Sequence, residues 1–361
     1  MHLTDLVPGP AAAHPDAGSI GMIDVTGISS DSRAIAPGHL FVALKGSSGD
    51  GRAYAAAAVE AGAVAILTDE REPDASLARL AESGVPVLTC TAPRLELAHA
   101  AARFWRRQPG MIAAVTGTNG KTSVATFTRQ IWNALGRKAA SIGTLGIVGP
   151  GLEGGGGLTT PDPVELHRQL HELSQSGFQN IALEASSHGL DQFRLDGVPV
   201  HTAAFTNLTR DHLDYHGSMK EYRRAKMRLF RDLLVPGGAM VVNAEVPEYP
   251  ALMELAKERG FEFFAYGLSK GDIRCRSMEA TEDGWNLTLE VLGTEHAVAF
   301  PLVGSFQIEN ALAALGLAIA CGAEYGRATE TLEVLEGVPG RMEMVARLPS
   351  GARVIVDYAH T

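Results

Sequence analysis

The sequence contains little cysteine and no long apolar run, and both shortages narrow the class of protein. Its three cysteines, Cys90, Cys275 and Cys321, lie far apart without Cys-x-x-Cys spacing, which argues against disulfides or a thiolate metal site and favours buried thiols. The longest apolar stretch, 311–323, is too short to cross a bilayer and favours a buried helix. The N-terminus lacks the basic start and apolar run of a signal peptide, so we predict a cytoplasmic location.

The sequence also has fewer basic than acidic residues, 31 against 41. The net charge of −10 argues against a nucleic-acid partner, because phosphate backbones select basic faces. The 45% hydrophobic and 20% charged residues are typical of a folded globular protein. At 361 residues the chain is long for one core, so two or three domains are expected.

What the sequence does contain is a phosphate-binding motif. Residues 111–123 join an apolar run, typical of a strand, to the loop Gly-Thr-Asn-Gly-Lys-Thr-Ser. Gly117 and Gly120 let backbone N–H groups face phosphate oxygens, while Lys121 supplies positive charge and the Thr122 hydroxyl can bind Mg²⁺. The motif therefore predicts ATP binding.

The context of the loop supports this interpretation, with one departure. A helix is predicted over 122–134, ended by Gly136, and its N-terminus directs the positive end of the helix dipole at the phosphates. The general pattern G-x-x-x-x-G-K-[ST] has glycine where this chain has Val115, so the loop is a variant. A glycine-rich surface turn with a stray lysine is the alternative.

Short β-like runs alternate with helical segments over the first hundred residues, which predicts a small α/β domain. These segments are the runs 40–44, 63–68 and 85–89 and the alanine-rich stretch 53–61. The breaker Gln108-Pro109-Gly110 separates them from the phosphate loop. We therefore expect a first domain over residues 1–108.

The region 109–338 is expected to be a central P-loop ATPase-like domain of the α/β class with a mostly parallel sheet. Candidate strands lie at 181–183, 202–205 and 239–242, and a hairpin meander at 271–300. The stretch 149–157 has six glycines in nine residues, which indicates a flexible loop. Because the chain stops one turn after a final strand over 353–356, we expect 339–361 to begin a C-terminal Rossmann-like domain whose remainder is absent.

A carboxylate is expected beside the phosphate loop. Glu184 follows the apolar run 181–183 and so stands at the carboxyl edge of a strand, where ligands of open α/β sheets bind. Mg²⁺ on ATP phosphates needs one or two carboxylates, and Glu184 with Thr122 would supply two oxygens. A strand-end glutamate facing water is the alternative, which the adjoining Ser186 and His188 disfavour.

A second polar cluster follows the run 202–205. Asp211, His212, Asp214 and His216 fall within six residues. This density suggests a second metal or a charge relay, although each histidine alone is equally consistent with an ordinary polar loop. The residues alone leave both interpretations open.

The next predicted helix carries a lysine on its apolar face. Ser218 and Glu221 form a capping box, after which Tyr222 and Leu229 belong to an apolar stripe that also contains Lys226. A buried ammonium is costly unless it snorkels, pairs or loses its charge, and snorkelling is the usual outcome. A chemically modified lysine at a metal site is the sharper alternative.

Taken together, these segments resemble the Mur ligase family, ATP-dependent enzymes that add amino acids during peptidoglycan synthesis. The matching segments are 117–123, 211–217, Asn310, 340–342, 357–360, 31–33, 37–43 and 184–190. They span nearly the whole chain, and the last three point to family members that add the third residue of the peptide.

The resemblance implies a role for each matching residue, with Lys121, Glu184, His212 and Lys226 as the catalytic set. One Mg²⁺ would be held by Thr122 and Glu184, and a second by His212 and a carbamylated Lys226 (N6-carboxylysine). ATP would be contacted by Gly117, Thr118, Asn119, Gly120, Lys121, Thr122, Ser123, Asn310, Arg341 and Asp357. The acceptor, UDP-MurNAc-L-Ala-D-Glu, would be held by Ser30, Ser32, Ser47, Ser48, Gly49, Thr159, Thr160, Ser186, Gln192 and Arg194. Leu158, beside that threonine pair, stands where relatives often have asparagine.

The implied reaction is carboxylate activation by an ATP-dependent acid–amino-acid ligase. ATP would phosphorylate the D-glutamyl carboxylate, and the amine of meso-diaminopimelate or L-lysine would attack the acyl phosphate. Lys121, Arg194 and two Mg²⁺ would neutralise the accumulating negative charge. A monomer is expected.

Two other functions are compatible with parts of the sequence. Another Mur-type ligase, such as the D-alanyl-D-alanine-adding enzyme or folylpolyglutamate synthase, is disfavoured by the segment 184–189. A nucleotide-binding module without catalysis is favoured by the early chain end. Since the family's amino-acid site lies mainly in the final domain, we expect the fragment alone to lack ligase activity.

Overall fold

The computed structural model describes residues 1–46, 49–70, 75–348 and 353–358. These residues divide into two compact units. The first unit comprises Met1–Gln108, Asp162–Glu172 and Gln192–Val198, and the second comprises the remaining described residues. Residues 162–172 and 192–198 therefore belong to the first unit although they are distant in sequence from the rest of it. Local sequence patterns do not indicate that the chain returns to this unit.

The first unit is built on a four-stranded parallel sheet in the order β1-β2-β3-β4. Its strands are β1 Gly27–Ser29, β2 His39–Val42, β3 Ala65–Asp69 and β4 Val87–Cys90. Its helices before residue 108 are α1 Leu3–Leu6, α2 Pro8–Ala13, α3 Ala17–Ile20, α4 Ala55–Glu60, α5 Ala75–Glu82 and α6 Pro93–Phe104. The three predicted strands match β2, β3 and β4 within two residues.

Two apolar clusters form the core of the first unit. Leu40 and Phe41 are neighbours on β2, are 0% and 1% exposed, and pack in different clusters. Because side chains alternate across a strand, the sheet lies between these clusters and is covered on both faces. This arrangement confirms the predicted α/β class.

The second unit contains a ten-stranded sheet in the order β14-β13-β12-β11-β10-β9-β5-β8-β6-β7. The strands are β5 Met111–Thr116, β6 Ala139–Gly143, β7 Gly146–Val148, β8 Asn180–Glu184, β9 Val200–Phe205, β10 Leu234–Asn243, β11 Glu262–Gly267, β12 Ile273–Ala280, β13 Trp285–Val291 and β14 Thr294–Phe300. The strands from β12 to β6 pair in parallel, whereas β7, β13 and β14 pair antiparallel at the two edges. The mostly parallel sheet and the meander over 271–300 were both predicted correctly.

The remaining helices follow in chain order. They are α7 Lys121–Ala134, α8 Pro163–Gln175, α9 Ser187–Asp191, α10 Leu213–His216, α11 Met219–Arg228, α12 Tyr249–Arg259, α13 Ser305–Ala320 and α14 Tyr325–Glu330. Gly136, with φ +77°, follows the end of α7 as predicted. The apolar stretch at 311–323 belongs mostly to α13, whose residues are buried on nearly all sides. Among the described residues, we find no helix with the length and apolar character needed to cross a membrane.

The described chain ends with an antiparallel pair, β15 Glu343–Arg347 and β16 Arg353–Val356. The strand predicted at 353–356 is confirmed. That this pair begins a further domain stays a prediction. All three cysteines are free, and Cys275 and Cys321 are buried as expected, but Cys90 is only half-buried.

A buried histidine links three segments of the first unit. His167 on α8 is 0% exposed, its Nδ1 lies 2.9 Å from Gln108 Nε2, and its Nε2 lies 3.0 Å from the Asp196 carbonyl oxygen. A neutral ring satisfies both contacts, since Nε2–H donates to the carbonyl and Nδ1 accepts from the amide. Burial accordingly lowers the pKa of His167 to about 4.

This histidine should make stability depend on pH. In the unfolded chain a histidine has a pKa of ~6.5. The stability that depends on the neutral ring is therefore fully present above that pH, and it declines as the pH falls toward about 4, the pKa in the folded protein. Between pH ~7.5 and ~5 the loss is about 2 kcal/mol. We expect the melting temperature of the wild type to fall more over this interval than that of a His167→Gln variant, whose amide does not titrate. Equal decreases in thermal melts would contradict the assignment.

Candidate active site

The topology of the large sheet brings three functional segments to one edge. Strand β5 lies between β8 and β9, and all three run parallel. Their carboxyl ends therefore deliver the phosphate loop after β5, Glu184 at the end of β8, and the polar loop after β9 to neighbouring positions. This edge is where open α/β sheets bind ligands.

The phosphate loop requires glycine at two positions. Gly120 has φ +90°, in the left-handed region, and a Cβ there would lie 2.5 Å from Asn310 Oδ1. A Cβ at Gly117 would lie 1.9 Å from Thr206 Oγ1. Val115, which departs from the common motif, is 1% exposed within β5. The turn therefore begins after this residue, and Val115 serves as a core residue of the strand.

Lys121 opens helix α7 and folds back on the loop. Its ammonium donates hydrogen bonds to the carbonyl oxygens of Gly117 at 3.0 Å and Thr118 at 2.8 Å. Burial lowers the pKa of this lysine. Backbone N–H groups in the first turn of α7 have no partner within the helix, so lysine and helix terminus together favour an anion here.

Glu184 is 3% exposed, and both oxygens of its carboxylate accept hydrogen bonds. Oε2 accepts from Thr122 Oγ1 at 2.9 Å, and Oε1 accepts from the Thr144 N–H at 2.8 Å. Burial raises the pKa of Glu184, while these donors and the nearby Lys121 oppose that shift. The structure thus brings Glu184 and Thr122 together, as the strand-end position of the glutamate predicted.

Lys226 on α11 is 1% exposed and therefore does not snorkel, contrary to the usual outcome for such a pattern. Its Nζ donates to the Gly117 carbonyl oxygen at 2.7 Å and lies 4.5 Å from the centre of the Tyr222 ring. The pKa of Lys226 lies well below its ordinary value because of burial and the charge of Lys121. The two lysines thus share one carbonyl oxygen.

The loop after β9 brings His212 close to a carboxylate and to two aromatic rings. His212 has φ +50°, and its Nε2 lies 3.4 Å from Asp211 Oδ2. Its ring centre lies 4.8 Å from that of His188 and 6.3 Å from that of Tyr222. Within the part of the chain that the structure describes, no three histidine, cysteine or acidic side chains are placed to hold a metal together. The second metal or charge relay predicted for the residues at 211–216 stays a prediction.

Most of the residues predicted to contact ATP line one cavity of about 630 Å³ in the second unit. Its lining includes residues 118–123 of the loop and helix start, Glu184, His212, Asn310, Arg341 and Asp357. Asp357 Oδ2 accepts from the Met342 N–H at 2.9 Å. Asn310, Arg341 and Asp357 thus line the same cavity as the phosphate loop, although they are far from it in sequence. None of the three would indicate a nucleotide site by itself.

The predicted acceptor residues fall into three groups. In the second unit, Thr160 Oγ1 lies 2.7 Å from the Glu184 carbonyl oxygen and 3.1 Å from Ser186 Oγ, and Thr159 lines the cavity. Ser30, Ser32, Gly49, Gln192 and Arg194 belong to the first unit. There the Arg194 guanidinium donates to Gln192 Oε1 at 2.7 Å. Ser47 and Ser48, like His360 of the 357–360 motif, lie outside the described residues.

Thr144 also contacts Glu184, and this contact was not predicted from the sequence. It follows β6, which pairs in parallel with β8, so it stands at the same sheet edge. A polar residue directly after a strand was the available signal, as for Glu184. The strand itself, Ala-Ala-Ser-Ile-Gly, has too little β-branched or aromatic character to be predicted.

A parallel sheet that feeds a Gly-Lys-Thr loop into a helix, with a carboxylate at the end of the neighbouring strand, defines the class of P-loop nucleotide-binding proteins. Family models agree with this class and narrow it. Residues 115–318 match the Mur ligase middle domain, and residues 24–105 match the Mur ligase family catalytic domain.

Individual proteins give the same result. The UDP-N-acetylmuramoyl-L-alanyl-D-glutamate–2,6-diaminopimelate ligase of Bradyrhizobium diazoefficiens is 48% identical, over 100% of this chain and 73% of its own length. A solved structure of a ligase with that name superposes with a TM-score of 0.84 at 28% identity, covering 100% of this chain and 72% of that one. The MurF ligase of Thermotoga maritima, solved with ADP, shares the fold at 18% identity with a TM-score of 0.61, covering 89% and 68%. The chain belongs to the Mur ligase family.

Proposed function

We propose that this protein is an ATP-dependent ligase of peptidoglycan synthesis that joins 2,6-diaminopimelate to the D-glutamyl carboxylate of UDP-MurNAc-L-Ala-D-Glu. The relatives that match nearly the whole chain carry this activity in their names. The observation that supports it most is the shared cavity, in which the phosphate loop, Glu184 and Thr159 face the same space. We further propose that it acts as a monomer in the cytoplasm.

The nucleotide end of the cavity fits ATP. Residues Gly117 to Ser123 would surround its phosphates, with the Lys121 ammonium leaving its loop carbonyls for phosphate oxygens. Asn310, Arg341 and Asp357 line the same cavity and are proposed to contact ATP as well. These residues position the γ-phosphate and neutralise its charge, the main requirement of phosphoryl transfer.

The oxygens beside the loop suit a magnesium ion. Thr122 Oγ1 and the Glu184 carboxylate are hard donors that already lie 2.9 Å apart, and Glu184 is buried with its charge supported by neighbouring donors. We propose that these two residues hold one Mg²⁺. When bound, the ion supplies positive charge to the ATP phosphates.

The acceptor supplies the nucleophile of the first step. Its D-glutamyl carboxylate oxygen would bond to the γ-phosphorus as the bond from that phosphorus to the ADP oxygen breaks. The diaminopimelate amine would then attack the acyl carbon and release phosphate. Acceptor contacts are proposed for Ser30, Ser32, Ser47, Ser48, Gly49, Thr159, Thr160, Ser186, Gln192 and Arg194.

Lys226 is proposed to be carbamylated and, with His212, to hold a second Mg²⁺. Deep burial beside Lys121 lowers the pKa of this amine and so favours its neutral, nucleophilic form, whose nitrogen can bond to CO₂ while losing a proton. The product is an anion beside the Lys121 ammonium, which attracts it. This explains a lysine retained where an apolar residue would pack at lower cost.

We expect Glu184→Gln to abolish the effect of Mg²⁺ on nucleotide affinity. In isothermal titration of a nonhydrolysable ATP analogue, Mg²⁺ should tighten binding to the wild type about tenfold or more but tighten binding to the variant little, because the neutral amide is a poor ligand for the ion. Glu309→Gln removes a different carboxylate that lines the same cavity and is the matched control. Retention of the full Mg²⁺ effect in Glu184→Gln would show the metal assignment to be wrong.

The carbamate has its own test. With ¹³C-labelled bicarbonate, we expect the wild type to give a carbamate resonance in ¹³C NMR that Lys226→Met lacks, since methionine keeps the volume but not the amine. Lys138→Met, which removes an exposed lysine amine, is the control and should keep the resonance. A resonance that persists in Lys226→Met would refute the modification at this residue.

A further inference from the structure

Thr144 occupies a position between two parts of the cavity. It follows Gly143 at the end of β6, lines the cavity, and lies near both Glu184 and Thr159. No role was predicted for it from the sequence. Its contacts with Glu184 and with Thr159 indicate a role.

On the metal side, Thr144 holds both oxygens of one carboxylate. Its N–H donates to Glu184 Oε1 at 2.8 Å, and its hydroxyl lies 3.3 Å from Oε2, which also accepts from Thr122 at 2.9 Å. Gly143 permits this approach, since a Cβ there would lie 2.0 Å from Oε1. The carboxylate is therefore oriented by these neighbours.

On the acceptor side, Thr144 Oγ1 lies 3.1 Å from Thr159 Oγ1. A hydroxyl has one proton, so Thr144 donates either to Thr159 or to Glu184. When Thr159 donates to Thr144, the Thr144 proton is directed at the carboxylate. The two hydroxyls thus form a short chain of hydrogen bonds that ends on Glu184.

We propose that Thr144 is a positioning residue that couples acceptor binding at Thr159 to the affinity of the Glu184 site for Mg²⁺. This inference rests on the proposed function. An N–H group of the acceptor that donates to Thr159 Oγ1 turns the Thr159 proton toward Thr144, and the Thr144 proton toward Glu184 Oε2. The carboxylate is then held in one orientation, as hydrogen bonds to metal-ligating groups generally do.

Coupling of this kind is reciprocal, so it can be measured from either ligand. The experiment uses the 361-residue chain and titrates Mg²⁺ with a nonhydrolysable ATP analogue, with and without UDP-MurNAc-L-Ala-D-Glu. In the wild type, we expect the acceptor to raise the apparent Mg²⁺ affinity by about fivefold or more. Thr144→Val keeps the backbone N–H and the side-chain shape, and should reduce this factor to nearly one.

Two further variants separate the role in coupling from a merely structural one. Thr144→Ser retains the hydroxyl and should restore the coupling. Thr329→Val removes another buried hydroxyl of the second unit, one that donates to the Tyr325 carbonyl oxygen at 2.7 Å, and should leave the coupling intact. Thermal melts of each variant establish that it is folded.

The outcomes of these titrations distinguish a failure of the role proposed for Thr144 from a failure of the proposed function. If Glu184→Gln weakens Mg²⁺ binding but Thr144→Val keeps the wild-type coupling, the role of Thr144 is refuted and the proposed function stands. Absence of coupling in the wild type refutes the inference whether or not the variants fold. If Glu184→Gln leaves Mg²⁺ binding unchanged, the metal assignment fails first and the inference fails with it.

Discussion

The nearly complete burial of a carboxylate, Glu184, is the constraint on which the rest of the site depends. An isolated buried carboxylate takes up a proton, so Glu184, 3% exposed, needs donors and positive charge around it. Thr122, Thr144 and Lys121 supply them. These residues follow β5 and β6, the two strands that flank β8 in the sheet. The parallel order of these three strands therefore brings the donors to the carboxylate.

A second consequence of burial concerns the two lysines. Lys121 and Lys226 donate to the same carbonyl oxygen of Gly117, at 3.0 and 2.7 Å. Two protonated amines at such a site repel one another, and the more deeply buried Lys226 is the one whose pKa falls furthest below its ordinary value. A buried lysine beside a second lysine costs stability, and strongly perturbed groups of this kind cluster at functional sites.

Much of this site could be predicted from the sequence because its residues stand at the ends of recognisable strands. Apolar runs precede the phosphate loop and Glu184, and the family resemblance supplied Asn310, Arg341 and Asp357. Thr144 was missed because β6 is mostly small residues with weak strand propensity. The pattern alone left open whether Lys226 is buried or snorkels, because an apolar stripe shows which face of a helix is covered, whereas the packing around it decides whether an ammonium reaches water. The return of 162–172 and 192–198 to the first unit depends on contacts distant in sequence.

The central claim is that this cavity brings the γ-phosphate of ATP to the D-glutamyl carboxylate. Trapping with hydroxylamine tests it directly, since an acyl phosphate converts to a hydroxamate that mass spectrometry detects on the acceptor. With ATP, Mg²⁺ and UDP-MurNAc-L-Ala-D-Glu, and without diaminopimelate, we expect the hydroxamate to form in the wild type and not in Lys121→Ala. Binding of both ATP and the acceptor with no hydroxamate formed would contradict the claim.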